Sequence, residues 1–590
     1  MWFFSSVQRQ THPFTVNRID GTTWVGLDVR CFLKNGFLYH TRWSVGKQVG
    51  ASCLRIRHKC SILGRKYRVD RLTGYSPWIA RIVRGVNGME KREQWKNQVG
   101  FLLAAVGSAI GLGNIWRFSY MAYSHGGGAF LIPYLTALVS AGIPLLILEF
   151  AVGHERRGSA PLAYAKIKKK WEWLGWWAVS FVMFGILLYY MVIIAWCLSF
   201  FILSFNLAWG DDPNTFFYDK FLAISRGPLE MGGFRAPIFW ALLVAWFINW
   251  GIVFRGIKRG IERANRIFMP VLFVLTAVLV CWSLSLDGAM VGIAAYITPD
   301  FSRIWDPQVW IDAYGQIFFT LSLGFGIMIA YASYLPPKAN ITRNAVLTAL
   351  INCGYSLFAG FAVFSVLGFM AVSQDKPLSE VVSQSIGLAF VAYPKALGLM
   401  PFGNIFGVIF FLCLSVAGLS SSISITEAFT SAMVDKFSVR RRPLITIISV
   451  LGVLGSVVFT TNAGLFWIDI ADHFLTHYGL IVVGVAECIL VGWFFPIKVL
   501  REHVNAISSI HLGPWWDVVI RYFVPLALGT ILVWDLYSEL RSPYGGYSWT
   551  ALLLIGLNWI LFTLIVSFYV ASRRWRTRRF EGRGGDTENS

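Results

Sequence analysis

"AVGSAIGLGNIWRFSY", residues 105–120, lies inside an apolar run yet carries three glycines, two serines, an asparagine and an arginine. Glycine costs a helix interior roughly 1 kcal/mol relative to alanine. A backbone carbonyl left unpaired in hydrocarbon costs several kcal/mol. A segment so built must face protein, water or an ion. If the helix unwinds between Gly107 and Gly113, freed carbonyls suit a cation, and the amides of the restarted half-helix suit an anion. The competing reading is a close-packing face made by Gly107 and Gly111, spaced four apart. This stretch alone leaves the two readings even.

The rest of the chain sets the context. Of 590 residues, 56% are hydrophobic and 14% charged, with a mean hydropathy of +0.57, which marks a polytopic membrane protein. Apolar runs of spanning length, roughly 20 residues each, predict about twelve transmembrane helices. They fall near 98–122, 130–153, 173–206, 236–254, 265–286, 312–335, 343–373, 401–434, 443–461, 465–494, 516–537 and 548–571. The net charge of +21 does not signal nucleic acid, because basic residues collect in alternate connections. They stand at 156–170, 255–266, 440–442, 498–501 and 573–579, which the positive-inside rule assigns to the cytoplasm. Both termini are then expected to be cytoplasmic, with the protein in the plasma (cell inner) membrane.

The sixth apolar run, "GQIFFTLSLGFGIMIAYASYLP" (315–336), again places Thr320, Ser322, Gly324 and Gly326 in mid-span. Two interrupted helices, each opening a set of five, predict an all-α inverted 5+5 repeat with broken helices 1 and 6 and a site at the midplane. Ala417, Ser420, Ser421 and Ser424 recur at i, i+3, i+4 and i+7, one small and polar helical face.

Four segments then carry a specific resemblance: "REQWKNQVGFLLAAVGSAIGLGNIWRF" (92–118), "GGGAFLIPY" (126–134), "GQIFFTLSLGFG" (315–326) and "AGLSSSISI" (417–425). In this order they resemble the signature segments of the neurotransmitter:sodium symporter family, with its LeuT fold. The resemblance implies two sodium ions beside a substrate. The first would be held by the Ala109 carbonyl, Asn114, Thr320, Asn352 and the substrate's own carboxylate. The second would be held by the carbonyls of Gly107 and Ile110 with Ala417, Ser420 and Ser421. These ligands are hard oxygens, suited to an alkali cation.

The implied substrate site has the amides of Leu112 and Gly113 and the Tyr190 hydroxyl on the carboxylate. Ile186, Phe319, Ser322, Phe325, Ser421 and Ile425 surround the side chain, and Ser108 is nearby. Amine-carrying members of the family have an aspartate where this chain has Gly111, so an amino acid is expected, with a neutral hydrophobic or aromatic side chain. In "YYMVIIAW", Tyr189 is read as membrane-facing packing. Tyr134, Gln316, Thr320 and Ser356 match the family's chloride set. Glu149 and Glu427 are rival sources of the compensating charge. Arg117 with Asp472 forms the implied outer gate, under which Phe319 and Tyr190 close a lid. Arg92 with Asp435, supported by Trp95 and Tyr334, forms the inner gate.

The expectation is therefore sodium-coupled symport of an amino acid, not enzymatic chemistry. An ion channel and a non-transporting amino-acid sensor are the alternatives. The eight cysteines show no CxxC spacing, so no zinc site is expected. The expected division is 1–88, 89–571 (helices 1–5 about 98–286, 6–10 about 312–494, 11–12 about 516–571) and a basic cytoplasmic tail, 572–590. Residues 1–88 hold fifteen Lys/Arg against three acids. They read as a basic extension attracted to anionic lipid or, preferred, as a stretch upstream of the true start at Met89.

Overall fold

The computed structural model describes the backbone of five strands within residues 15–69, and residues 93–381 and 385–576. The chain divides into two units, 1–92 and 93–590. In the first, β1 (Thr15–Ile19), β2 (Thr22–Phe32), β3 (Leu38–Gln48), β4 (Leu54–Ile62) and β5 (Arg65–Val69) pair in sequence order as an antiparallel meander. Arg92, the expected inner-gate cation, lies outside the described residues.

The second unit is helical. A first helix, α1 (Gln98–Ala109), is followed after a two-residue gap by α2 (Leu112–Ser124), bent from it by 70°. Then come α3 (Gly128–Arg156), α4 (Lys169–Leu203), α5 (Ala236–Phe254) and α6 (Ile257–Leu284). The sixth apolar run forms α7 (Pro307–Thr320) and α8 (Ile327–Ala332). Next are α9 (Ile341–Ser373), α10 (Gly403–Phe437), α11 (Arg441–Thr460), α12 (Gly464–Trp493), α13 (Pro514–Gly546) and α14 (Trp549–Ser572). Ten of these are individually long and apolar enough to cross a membrane, and the bent pair α1–α2 makes an eleventh. The twelfth expected span is the α7–α8 pair, whose interruption leaves neither half long enough to count alone.

Local chemistry sets the ends of the broken helices. Asn97 caps α1 by accepting from the Gly100 amide at 2.8 Å. Asp306 caps α7 in the same way, with Pro307 at the first helical position, where its missing N–H costs nothing. Asn340 caps α9. At 33 residues, α9 runs about 50 Å, more than a perpendicular crossing requires.

The 35-residue α10 is the central column: it packs on α4, α6, α5 and α1, and most of it is buried. Outer helices α13 and α14 present Leu526, Val533, Phe562 and Ile565 outward. On a soluble protein this would be a large exposed apolar patch. Here it is the surface that meets lipid.

Candidate functional site

The two breaks bring their polar groups to one place, beside the serine face of α10. The α1 ladder stops at Ala109. Three of the carbonyls it leaves are taken up by hydroxyls: Ser420 donates to Gly107 at 2.6 Å, Ser421 to Ser108 at 3.1 Å and to Ile110 at 3.3 Å. From the second break Ser322 also donates to the Ser108 carbonyl, at 3.2 Å. The residues expected at the second sodium, Gly107, Ile110, Ala417, Ser420 and Ser421, thus form one oxygen cluster, since Ser420 also donates to the Ala417 carbonyl at 2.9 Å. Each hydroxyl can turn its lone pairs toward a cation once one is bound.

Next to it stands the set expected at the first sodium. The Asn114 side-chain oxygen accepts from the Gly111 amide at 2.8 Å, and its nitrogen donates to Asn352 Oδ1 at 2.9 Å and Ser356 Oγ at 2.8 Å. Asn352 in turn donates to Thr320 Oγ1 at 3.2 Å. Asn114, Thr320 and Asn352 are buried, and Ala109, whose carbonyl completes the set, ends α1.

The close-packing reading of the glycine pair is half right. A Cβ on Gly107 would stand 2.3 Å from Asn265 Oδ1 on α6, so Gly107 does permit a close helix contact. Gly111 faces elsewhere: a Cβ there would meet Tyr190 Oη at 3.1 Å and Ser421 Oγ at 3.3 Å. The second break runs from Leu321 to Gly326, with positive φ at Ser322 (56°), Gly324 (76°) and Gly326 (67°). The Gly324 amide donates to Glu149 Oε1 at 2.6 Å, so a buried carboxylate caps the unwound turn.

A cavity of about 700 Å³ opens from these breaks. It is lined by every residue expected around the substrate: Ser108, Gly111, Leu112, Gly113, Ile186, Tyr190, Phe319, Ser322, Phe325, Ser421 and Ile425. The Leu112 amide donates to Tyr190 Oη at 3.4 Å, so the two groups expected on the substrate carboxylate stand side by side. The cavity continues past Arg117 and Asp472 to Tyr544 and Tyr547, which precede α14.

In the opposite direction the path is packed shut. Trp95 donates through its backbone to the Tyr334 carbonyl at 3.1 Å and through its indole to the Tyr331 carbonyl at 2.9 Å. Tyr334 donates to Glu427 and Ser431, Tyr331 to Ser424, and the Ser159 amide to Asp435 at 2.9 Å.

The family profile of the sodium:neurotransmitter symporters matches residues 92–215 and 210–577 of this chain. This chain belongs to the sodium:neurotransmitter symporter family. An uncharacterised sodium-dependent transporter of Methanocaldococcus jannaschii is 49% identical over 478 residues, covering 81% of this chain and 97% of that protein. The sodium- and chloride-dependent GABA transporter 2 of Bos taurus is 33% identical over 469 residues, 73% of this chain and 77% of its own length. The Homo sapiens protein of the same name matches equally well. This symporter is accordingly a multi-pass, sodium-dependent membrane transporter.

Two sequence readings, those of Tyr189 and Glu427, change against the symporter's structure, and the expected gate pair is seen apart. Tyr189 is not membrane-facing: it is 2% exposed and donates to Asp472 Oδ1 at 2.5 Å. Arg117 and Asp472 form no ion pair among the described residues. Arg117 lies over the Phe319 ring, 5.1 Å from its centroid, so the outer pair is open. Glu427 is held by Arg441 and Tyr334, so it is not a free countercharge for bound ions. Glu487 has no part in the sequence reading. It is an acid in the apolar run of α12, and its Oε1 is buried without a partner, as is Glu149 Oε2. The signal was present, since an ionisable residue inside a span is a functional suspect.

Proposed function

We propose that the protein is a sodium-coupled symporter that carries a neutral amino acid, with a hydrophobic or aromatic side chain, into the cell. One observation carries this reading: two broken helices turn their polar groups toward one cavity, where Ser322 of the second donates to the Ser108 carbonyl of the first and Ser421 ties that first helix to α10. Oxygens at Gly107, Ile110, Ala417, Ser420 and Ser421 would hold one sodium. Ala109, Asn114, Thr320 and Asn352 would hold the other, joined by the substrate carboxylate. Sharing that carboxylate makes ion and amino acid strengthen each other's binding reciprocally.

The cycle follows from which side is open. Sodium bridging α1 and α10 favours the state described above, in which the cavity reaches Tyr544 and the Trp95–Tyr334 side is packed. With the basic connections read as cytoplasmic, that state faces outward, with both termini inside. Substrate draws Phe319 and Arg117 over the cavity toward Tyr190 and Asp472. Loss of the second sodium frees Ser420 and Ser421 from α1 and lets the packed side open. A ligand shifts this equilibrium only through its different affinities for the two states.

Chloride is proposed as a companion ion at Tyr134, Gln316, Thr320 and Ser356. The support is the buried amide of Gln316, neither atom of which has a hydrogen-bond partner, together with the chloride dependence that the mammalian relatives carry in their names. Those relatives also support a second substrate reading. γ-Aminobutyrate carries the same carboxylate and ammonium as an α-amino acid, spaced further apart.

The deciding experiment is thermal stabilisation of the purified protein by a panel of neutral α-amino acids and γ-aminobutyrate, with sodium or with potassium. Stabilisation by one class in sodium alone supports the reading and names the class. Stabilisation that ignores sodium, or none by any zwitterion, sinks it.

A further inference from the structure

Lys436 is one residue beyond Asp435, near the end of α10, and its side chain is wholly buried. All three of its N–H groups are used. They go to Glu172 Oε1 and to the carbonyls of Val570 at 2.6 Å and Ala571 at 3.0 Å. The two carbonyls belong to the last turn of α14, where four acceptors lack intrahelical partners and the helix dipole favours a cation. The other Glu172 oxygen accepts from the Trp575 indole at 2.8 Å, and the Arg576 amide donates to the Lys436 carbonyl at 2.9 Å. The Trp575 ring also lies 5.2 Å from the ammonium. The first residues beyond α14 therefore fold back onto the end of α10.

Successive helical side chains point about 100° apart. Asp435 and Lys436 accordingly fasten two different elements to one turn: Asp435 takes the Ser159 amide, and Lys436 takes α14 with the start of the tail. The end of α10 cannot move without carrying or breaking both.

We infer that Lys436 is a positioning residue for the inner gate and that the tail at 573–576 is part of its closing contact. Releasing that contact lowers the barrier to inward opening. The inference rests on the sodium-coupled, alternating reading given above.

The test uses the full chain in proteoliposomes, with its native cysteines replaced by alanine and Ser431→Cys, beside Tyr334 on the packed side, as reporter. Maleimide labelling is timed in saturating sodium and in potassium. In this parent, sodium is expected to slow labelling. In K436M, W575A and a chain ending after Ser572, labelling in sodium should rise roughly tenfold, with the potassium rate little changed. A clamp that merely supports the fold would lower thermal stability and leave the sodium-to-potassium ratio alone; that result overturns the inference. Should K436M fail to fold, W575A and the shortened chain keep the buried ion pair and decide alone. A parent whose labelling ignores sodium overturns the carrier reading beneath. A sodium-responsive parent whose variants keep the parent's sodium-to-potassium ratio overturns only this one.

Discussion

Gly111 sits where a side chain would reach Tyr190 and Ser421 within 3.1–3.3 Å, directly in front of the Leu112 amide. A carboxylate there would take the place of the substrate's own. Gly111→Asp is therefore expected to abolish sodium-dependent stabilisation by amino acids, an affinity loss of roughly hundredfold from like-charge opposition. Amines that lack a carboxylate should be relatively favoured, and unchanged amino-acid binding in the variant would refute the carboxylate assignment. Tyr189 supports a second prediction. Its hydroxyl donates to Asp472, which makes no ion pair with Arg117 among the described residues, and losing a bond to a charged group is worth about 1.5–3 kcal/mol. Tyr189→Phe should free Asp472 to close the outer pair and slow dissociation of a bound amino acid. The Y189F/D472N double variant should dissociate as fast as the parent; equal rates in Y189F and parent would remove Tyr189 from the gate. Asn114, Ser420 and Ser421 stand out in the sequence because polar groups in apolar spans must be compensated by something, whereas Asn352 is supplied by the family resemblance. Tyr189 does not stand out, because neighbouring tyrosines point to different helix faces and sequence does not say which faces meet lipid. Both proved buried or partly so.

At the scale of elements, the two breaks could be read from glycine and serine placement, and the long helices from apolar length. The run expected at 343–373 is α9, Ile341–Ser373, and that at 465–494 is α12, Gly464–Trp493. The geometry within a break was less legible, because it depends on which residue takes the left-handed conformation. Glycine adopts positive φ freely, whereas other residues are strained there by roughly 1–2 kcal/mol. Gly324 has φ 76° and Leu480 Cδ1 would lie 3.2 Å from an added Cβ. Gly324→Ala should accordingly cost about 1–2 kcal/mol of stability, read as a lower denaturation midpoint, while leaving sodium dependence in place. Ser322, at φ 56°, is strained already, and Ser322→Gly relieves about 1 kcal/mol. It also removes the hydroxyl on the Ser108 carbonyl, so this variant should be as stable as the parent or more so, yet bind substrate more weakly. The same sign of change in both variants would show that backbone strain is not what shapes the second break.

Over the whole molecule, the contacts proposed to hold the ions and the inner gate join residues far apart in sequence. Lys436 and Glu172 are 264 residues apart, and Asn114 and Ser356 are 242 apart. Periodicity and composition carry no information about such pairs, so of the gates only the residues that the family resemblance supplied were anticipated. Charge balance is a property of the same scale. Two sodium ions and a zwitterion would leave excess positive charge in a site of low dielectric, where it is poorly screened. Glu427 is committed to Arg441, and one oxygen of Glu149 is committed to the Gly324 amide. Gln316, by contrast, a member of the proposed anion set with Tyr134 and Ser356, has a buried side-chain amide with no partner at either atom. Gln316→Leu breaks no hydrogen bond, and removing an unpaired buried amide is nearly neutral for the fold or stabilising. Uptake into proteoliposomes should then be faster in chloride than in gluconate for the parent and equal in the two for Q316L, with thermal stability kept. A parent indifferent to gluconate would remove chloride from the cycle. A Q316L protein that still responds to chloride would move the anion to other donors, because the one unpaired amide among these four residues would have proved dispensable.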